Sequence, residues 1–331
     1  TDTDDMTLRF AGQAGSVLLN EQFANRGVEQ VIFNDNTTWN AATLQQEYLT
    51  RASTSGNDTI VAFNNSADTI IGGQGNDTMF GLGGADTYIY NTGDGTDTIT
   101  DLGSPSDVDI LQLGSGITSH NVWLQRSTTD VEDVTLRFHN AQGSILFDEQ
   151  LLGNNTMGID RIQFAGGEVW NRSEIFMGTS AANTINGGSE NTKVFAGAGV
   201  DTIHGNGGND MLYGDADGDI IYGDDGNDML VGGTGSDTLY GGAGNDTFRF
   251  LTLTDSTNAS YDMIQDFAQG QDKIDVIGLG FGTGLQGTQT PTSGHLGFYQ
   301  SGGNTFVTDG NGFSFALAGL VSLTDSDFLY S

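Results

Sequence analysis

From Asn183 to Asp246 the chain advances in steps of nine without a slip. The register positions are Asn183, Thr192, Asp201, Asp210, Asp219, Asp228, Asp237 and Asp246. Two residues after each stands an apolar side chain: Ile185, Val194, Ile203, Leu212, Ile221, Leu230, Leu239 and Phe248. Glycines crowd the turns between them. Residues 232–240 form a full G-G-x-G-x-D-x-U-x unit, U being apolar, and residues 241–249 form another. A short fixed period of this kind requires a repeat fold, in which each unit buries its apolar residue against the next.

An earlier block carries the same signature with small insertions. Its register residues are Asp58, Asp68, Asp77, Asp86 and Asp97, followed by Ile60, Ile70, Met79, Tyr88 and Ile99. The clearest unit there is 72–80, with Gly72, Gly73 and Gly75 ahead of Asp77. The acids of this chain recur singly beside glycines, not in runs. Ten Lys and Arg stand against 43 Asp and Glu, a formal charge of −33. Yet 36% of residues are hydrophobic and 19 are Phe, which is too apolar for a disordered tail. A polyanion repels nucleic acid and anionic membranes, so neither is expected as a partner. No apolar run approaches the length of a membrane span. Cysteine is absent, so no disulfide staples the fold. The first residues, Thr1 to Asp5, include no basic stretch of the kind that opens a signal peptide, and the chain reads as cut from something longer.

The nonapeptide resembles the calcium-binding repeat of RTX (repeats-in-toxin) proteins, over roughly 53–100 and 178–249. That resemblance implies an all-β fold: two parallel β-roll blocks alternating with small β segments and closed by a C-terminal β cap. It also implies Ca²⁺ as cofactor, export by a type I secretion apparatus, and a secreted or cell-surface location on a bacterium.

The residues support the same reading on physical grounds. Each nonad offers a turn in which glycine permits positive φ, then a three-residue strand with one inward side chain. With two nonads per coil, loops on one edge are eighteen residues apart. Asp201, Asp219 and Asp237 then stack on one edge, and Asp210, Asp228 and Asp246 on the other. Carboxylates about 5 Å apart repel by roughly 3 kcal/mol at an effective dielectric of 20. A hard divalent cation between loops relieves that repulsion, and all-oxygen ligation by Asp and turn carbonyls favours Ca²⁺ over Mg²⁺, with roughly six to ten ions expected. The candidate metal residues are the eleven register Asp residues named above, with backbone from Gly72, Gly73, Gly75, Gly205, Gly207, Gly214, Gly223, Gly232 and Gly241. Asn183 and Thr192 bring no charge, so weak sites are expected there.

A longer repeat is superimposed. Residues 6–10 match 134–138, and 15–18 match 143–146, at an offset of 128. Trp39-Asn40 then matches Trp170-Asn171. Alternation in 7–10 and glycines at 12–15 predict a hairpin. This unit is similar to the haemolysin-type calcium-binding-related segment found between RTX blocks. After Phe248 the period breaks into Asp262, Asp266, Asp272 and Asp275, a pattern resembling the segment that closes the roll in serralysin-type proteases and alginate epimerases. These four are further metal candidates, with capping and turn roles equally open. The expected organisation is 1–50 a truncated β segment, 51–105 the first roll, 106–177 a β segment, 178–249 the second roll, and 250–331 a cap with an acidic-then-apolar end resembling a type I secretion signal.

No catalytic constellation is present. His120, His139, His204 and His295 are isolated, no serine lies in G-x-S-x-G, and Trp39, Trp123 and Trp170 read as core. The expected function is a calcium-folded module, itself no enzyme, that supports secretion and stability of a larger adhesin or enzyme. The alternative is a polysaccharide- or cell-surface-binding appendage like the R-modules of alginate epimerases. Ice binding needs a row of Thr or Asn at one loop position, and Gln74, Gly83, Ala198, Gly207, Ala216, Asp225, Thr234 and Ala243 form none.

Overall fold

The computed structural model describes residues 6–9, 16–19, 30–104, 106–127, 129–130, 132–139, 143–148, 150 and 158–330. The chain divides into two compact units, one of Thr1–Val122 with Glu132–Val169, the other of Trp123–Val131 with Trp170–Ser331. Each contains one roll. Short parallel strands dominate both, and the helices are one α-helix and a few 3₁₀ turns among the described residues.

In the second unit successive strands alternate between two sheets. One sheet runs Thr202–His204, Ile220–Tyr222, Thr238–Tyr240, with Thr202 beside Ile220 and Ile220 beside Thr238. The other runs Lys193–Phe195, Met211–Ala216, Met229–Thr234, Thr247–Arg249, with Lys193 beside Met211 and Met211 beside Met229. Both registers step by eighteen, as two nonads per coil demand. The apolar residue of each D-x-U triplet forms the core between the two sheets. Val194, Ile203, Leu212, Ile221, Leu230, Leu239 and Phe248 are each no more than 1% exposed and form one continuous core.

The segment after Phe248 adds rungs to the same sheets. Met263–Ile264 continues one and Lys273–Asp275 the other. Ser314–Leu317 and Phe328–Leu329 follow in parallel, and the antiparallel strands Asn304–Thr308 and Gly297–Ser301 finish the first sheet. The acidic-then-apolar end is therefore folded into the sheet: Phe328 is 5% exposed and pairs with Ile274.

The first unit is built the same way with looser spacing. Thr59–Val61, Thr78–Phe80 and Thr96–Thr100 stack in one sheet, and Thr69–Ile71 and Thr87–Tyr90 in the other. Strand pairing crosses the boundary drawn at 105. Ile110–Leu113 lies parallel to Thr87–Tyr90, Arg161–Gln163 parallel to Ile110–Leu113, and Ser144–Asp148 parallel to Thr96–Thr100. The segment between the nonapeptide blocks thus supplies further rungs to the first roll.

The offset repeat is visible as paired hairpins. Met6 pairs with Leu19 and Thr7 with Leu18; Val134 pairs with Phe147 and Thr135 with Leu146, the same register. The turn expected at 12–15 lies outside the described residues. A second turn is also duplicated: Phe33 N donates to Thr37 O at 2.8 Å, as Phe164 N does to Glu168 O at 2.9 Å.

One departure from an all-β first segment is the helix Ala41–Ala52. Asn40 caps it, its side-chain oxygen accepting the Thr43 N–H at 2.9 Å, and the following Ala-Ala-Thr-Leu-Gln-Gln-Glu stretch favours helix over strand. Leu44 and Leu49 are buried beneath it, and Tyr48 packs against Phe63 at 5.6 Å. It covers the first rung, as a solenoid end requires. Trp170, expected as core, is fully buried, its ring 6.1 Å from Phe195.

Candidate metal centre

The turn geometry explains which glycines the repeat needs. The second and fourth positions adopt left-handed backbone: Gly233 has φ +94° and Gly235 +158°. Asp215, Asp217 and Asp224 take the same conformation at +76°, +75° and +70°, which Asp tolerates better than most side chains. The first position has a different constraint. A Cβ at Gly72, Gly205, Gly214, Gly223, Gly232 or Gly241 would run into the Oδ2 of the Asp five residues on. Glycine there leaves space beside a carboxylate. Gly207 carries no such demand, its nearest neighbour to a Cβ being Ser189 Cα at 3.7 Å.

With the carboxylates so aimed, each register Asp ties its coil to the one before. Oδ1 of Asp201 accepts the N–H of Asn183 at 2.6 Å, Asp219 that of Asp201 at 2.8 Å, and Asp237 that of Asp219 at 2.7 Å. On the opposite edge Asp210, Asp228 and Asp246 accept the N–H of Thr192, Asp210 and Asp228 at 2.7, 2.9 and 3.0 Å. Of the cap residues, Asp262 and Asp272 continue the ladders, accepting from Asp237 and Asp246 at 3.0 Å each. Asp266 accepts the N–H groups of Gly241 and Gly242 at 2.9 and 3.0 Å. Asp275 stands apart from the ladders: it faces Arg249 Nε at 3.3 Å and accepts Ile277 N–H at 2.9 Å.

The first roll has the same ladders despite its insertions. Asp77 and Asp97 accept from Asp58 and Asp77 at 2.8 and 2.9 Å. Asp86 accepts from Asp68 at 2.8 Å, Asp109 from Asp86 at 2.8 Å, and Asp160 from Asp109 at 3.0 Å.

The second carboxylate oxygens decide what these ladders can hold. Oδ2 of Asp77, Asp86, Asp201, Asp210, Asp219, Asp228, Asp237, Asp246 and Asp262 is buried with no hydrogen-bond partner. A buried, unpaired carboxylate oxygen is costly unless a cation or proton meets it. Residues at the ends of the ladders differ. Asp58 accepts its own turn's Thr54 N–H at 2.6 Å, Asp68 that of Phe63 at 2.8 Å, Asn183 that of Thr179 at 2.7 Å, and Asp272 that of Ala268 at 2.7 Å. Asp77, Asp86, the six register Asp residues of the second roll and Asp262 therefore offer free oxygens, whereas Asp58, Asp68, Asn183 and Asp272 cap themselves.

Burial pushes the interior carboxyls up. Asp219 rises to about 8, with Asp237, Asp201 and Asp215 adding repulsion. Asp86 also reaches about 8, Asp228 and Asp97 about 7, and Asp210 and Asp246 about 6, burial leading in each. Burial and then the charge of Asp237 raise Asp262. Such rows of acids hold a proton or a cation readily. The donor set is oxygen only, with backbone of neighbouring coils close by, which suits Ca²⁺.

Three residues in these arrangements escape the nonapeptide count: Asp109 and Asp160 in the ladder, and Asp101 beside it. Asp109-Ile110-Leu111 and Asp160-Arg161-Ile162 keep the D-x-apolar triplet without its glycines. That triplet was the available signal.

Comparison with known proteins agrees with the loops. The RTX calcium-binding nonapeptide repeat (4 copies) matches residues 53–88 and 64–99. The Peptidase M10 serralysin C terminal family matches residues 155–288. Among curated proteins none matches the sequence. Two solved structures resemble it in part: the AlgE6R2 and AlgE6R3 subunits of the Azotobacter vinelandii mannuronan C5-epimerase. AlgE6R2 is 30% identical, with a TM-score of 0.31, over 47% of this chain and 91% of that one. AlgE6R3 is 28% identical, with a TM-score of 0.30, over 45% and 79%. Extracellular lipase LipA from Serratia marcescens is 17% identical, with a TM-score of 0.34, over 84% of this chain and 39% of the lipase. The nonapeptide matches and the carboxylate-lined turns together place the chain in the RTX calcium-binding repeat family, with a C-terminal part of the serralysin type.

Proposed function

We propose that this chain is a calcium-triggered folding module of a larger secreted bacterial protein, exported unfolded through a type I apparatus and folded outside the cell. The observation that carries this reading is the row of interior Asp residues, each with one oxygen tied to the neighbouring coil and one buried without a partner. When bound, Ca²⁺ supplies positive charge between successive coils. The chain's own residues do the rest: the Asp ladders set the coil spacing, and the D-x-U triplets close the core. At the low calcium of the cytoplasm the carboxylates repel one another and one apolar residue per nonad is too little core to hold a coil. Millimolar external calcium suits the affinity range of extracellular modules. Nine buried ladder oxygens without a partner support a count of several ions, roughly six to ten.

The module is read as non-catalytic, with any activity residing in the protein it serves. A polysaccharide ligand is the weaker reading, because an anionic chain needs a cationic groove. Of the ten basic residues, Arg51, Lys193 and Arg249 are already engaged by Glu47, Glu174 and Asp275. No helix is long and apolar enough to cross a membrane among the described residues.

Far-UV circular dichroism and hydrodynamic radius in EDTA, in millimolar Ca²⁺ and in millimolar Mg²⁺ test the proposal. The expected result is an expanded chain in EDTA and magnesium and a compact β-rich one in calcium. Identical spectra and radii in all three would refute it.

A further inference from the structure

We propose that the first roll ends in a calcium site of three carboxylates, Asp86, Asp101 and Asp109, in which Asp101 and Asp109 lie off the nonapeptide pattern. It rests on the calcium reading above but adds ligand positions which the repeats do not supply. Carboxylate oxygens of the three lie within 4.8 Å of one another. All three residues are buried, at 0, 1 and 3% exposure. That spacing matches oxygens arranged around one Ca²⁺ at 2.3–2.6 Å. With no His or Cys in the cluster, a hard cation is the fitting occupant.

Two further observations point to a ligand. Asp86 Oδ2 is fully buried without a hydrogen-bond partner, although Asp86 Oδ1 is engaged by Asp68 N–H. At Gly81 a Cβ would overlap three oxygens at once: the Tyr88 hydroxyl, Asp101 Oδ2 and Asp86 Oδ2. These groups converge on a space that exists because residue 81 has no side chain. Tyr88 OH donates to Asp101 Oδ2 at 2.7 Å and so orients that carboxylate. Asp109 is held by the Asp86 N–H at 2.8 Å. None of the ion pairs among the described residues involves any of the three acids.

The second roll shows what the same position looks like when the acid is otherwise occupied. Asp246 and Asp272 correspond to Asp86 and Asp109, the later residue accepting the N–H of the earlier one at 3.0 Å. Asp266 takes the place of Asp101, but its two oxygens accept backbone N–H groups from Gly241 and Gly242. Asp101 receives one backbone N–H, from Gly103 at 3.3 Å on Oδ1, leaving Oδ2 facing the cluster with Tyr88. The third carboxylate is a ligand in the first roll and a structural tie in the second.

The test is calcium titration calorimetry of the full chain beside Asp101→Asn and Asp266→Asn, with Tyr-sensitised terbium(III) luminescence of wild type and Tyr88→Phe. Asp101→Asn should lose one bound ion, or weaken one at least about tenfold, while its calcium-induced β signal persists. Asp266→Asn should keep the wild-type ion count. Tyr88→Phe, which lacks only a hydroxyl, should lose the terbium emission excited through that site even if Asp101→Asn folds poorly. If wild type neither binds calcium nor folds with it, the calcium reading of the whole chain fails. If wild type does both, but Asp101→Asn matches it ion for ion and Tyr88→Phe keeps full emission, the three-carboxylate site alone is overturned.

Discussion

The two rolls reach one ladder by different routes. In the second, the register steps by eighteen from Asp201 to Asp219 to Asp237, and seven partnerless oxygens line its edges through Asp262. In the first, the steps along one edge are 18, 23 and 51 residues, from Asp68 to Asp86, Asp109 and Asp160, yet each N–H still meets the next carboxylate within 2.8 to 3.0 Å. Ladder and loop length are therefore separable. The D-x-U triplet fixes the rung through strand pairing, and the loop between rungs can absorb insertions. What the insertions remove is the repeated glycine turn, and among the described residues of the first roll the fully buried partnerless oxygens are those of Asp77 and Asp86. Regular spacing multiplies buried partnerless oxygens; irregular spacing keeps the scaffold with fewer of them.

Position within a ladder should matter more than which roll carries it. Asp219→Ala removes a partnerless oxygen and the acceptor for Asp201 N–H. Loss of a buried charged hydrogen bond and an ion ligand should raise the calcium midpoint for folding by about tenfold or more. Counting nonads alone puts Asp246 at an edge, where its loss should be mild. The cap changes that expectation, because Asp272 accepts Asp246 N–H and makes Asp246 an interior rung. Asp246→Ala should therefore shift the midpoint nearly as much as Asp219→Ala. Asp58→Ala, at a self-capped end, should shift it least. Calcium titrations followed by circular dichroism give the order; a shift for Asp58→Ala equal to that for Asp219→Ala would break the distinction between interior and terminal rungs.

A smaller effect sharpens the likeness of the rolls. Asp219 and Asp86, one from each, are both raised to about 8, and Asp228 and Asp97 to about 7. A carboxyl raised on folding binds its proton more tightly in the roll than in the unfolded chain. In EDTA, that contribution to stability is complete below about pH 4 and is lost as pH rises through 6 to 8. Protons and calcium compete for the same oxygens, so the calcium midpoint should fall as pH rises from 6 to 8, in both units alike. A midpoint independent of pH over that window would mean that the raised carboxyls are not the ligands.

Much of this was legible in the sequence because the nonapeptide couples chemistry to geometry. The step of nine fixed which Asp residues share an edge, and the apolar residue two positions on fixed the core. Asp262 and Asp272 were visible as candidates but not their place in the ladders, since 25 and 26 residues separate them from Asp237 and Asp246. Asp109, legible only as a weak echo of the closing segment, and Asp160 fall outside the step of nine because insertions left the triplet and erased the glycines. Asp275, a candidate from the closing-segment pattern with a capping or turn role equally open, faces Arg249, which is distant in sequence and near only after the sheet forms. The helix Ala41–Ala52 falls at the end of the expected β segment 1–50, and Asn40 before Ala41-Ala42 is its cap signal.

The central claim is that the partnerless oxygens of the interior rungs are calcium ligands. Anomalous scattering from crystals grown in millimolar calcium locates the ions directly. The expected map has a peak beside Oδ2 of Asp201, Asp210, Asp219, Asp228, Asp237 and Asp246, between successive coils on both edges of the second roll. Peaks confined to exposed acids outside the ladders, with water beside those six oxygens, would contradict it.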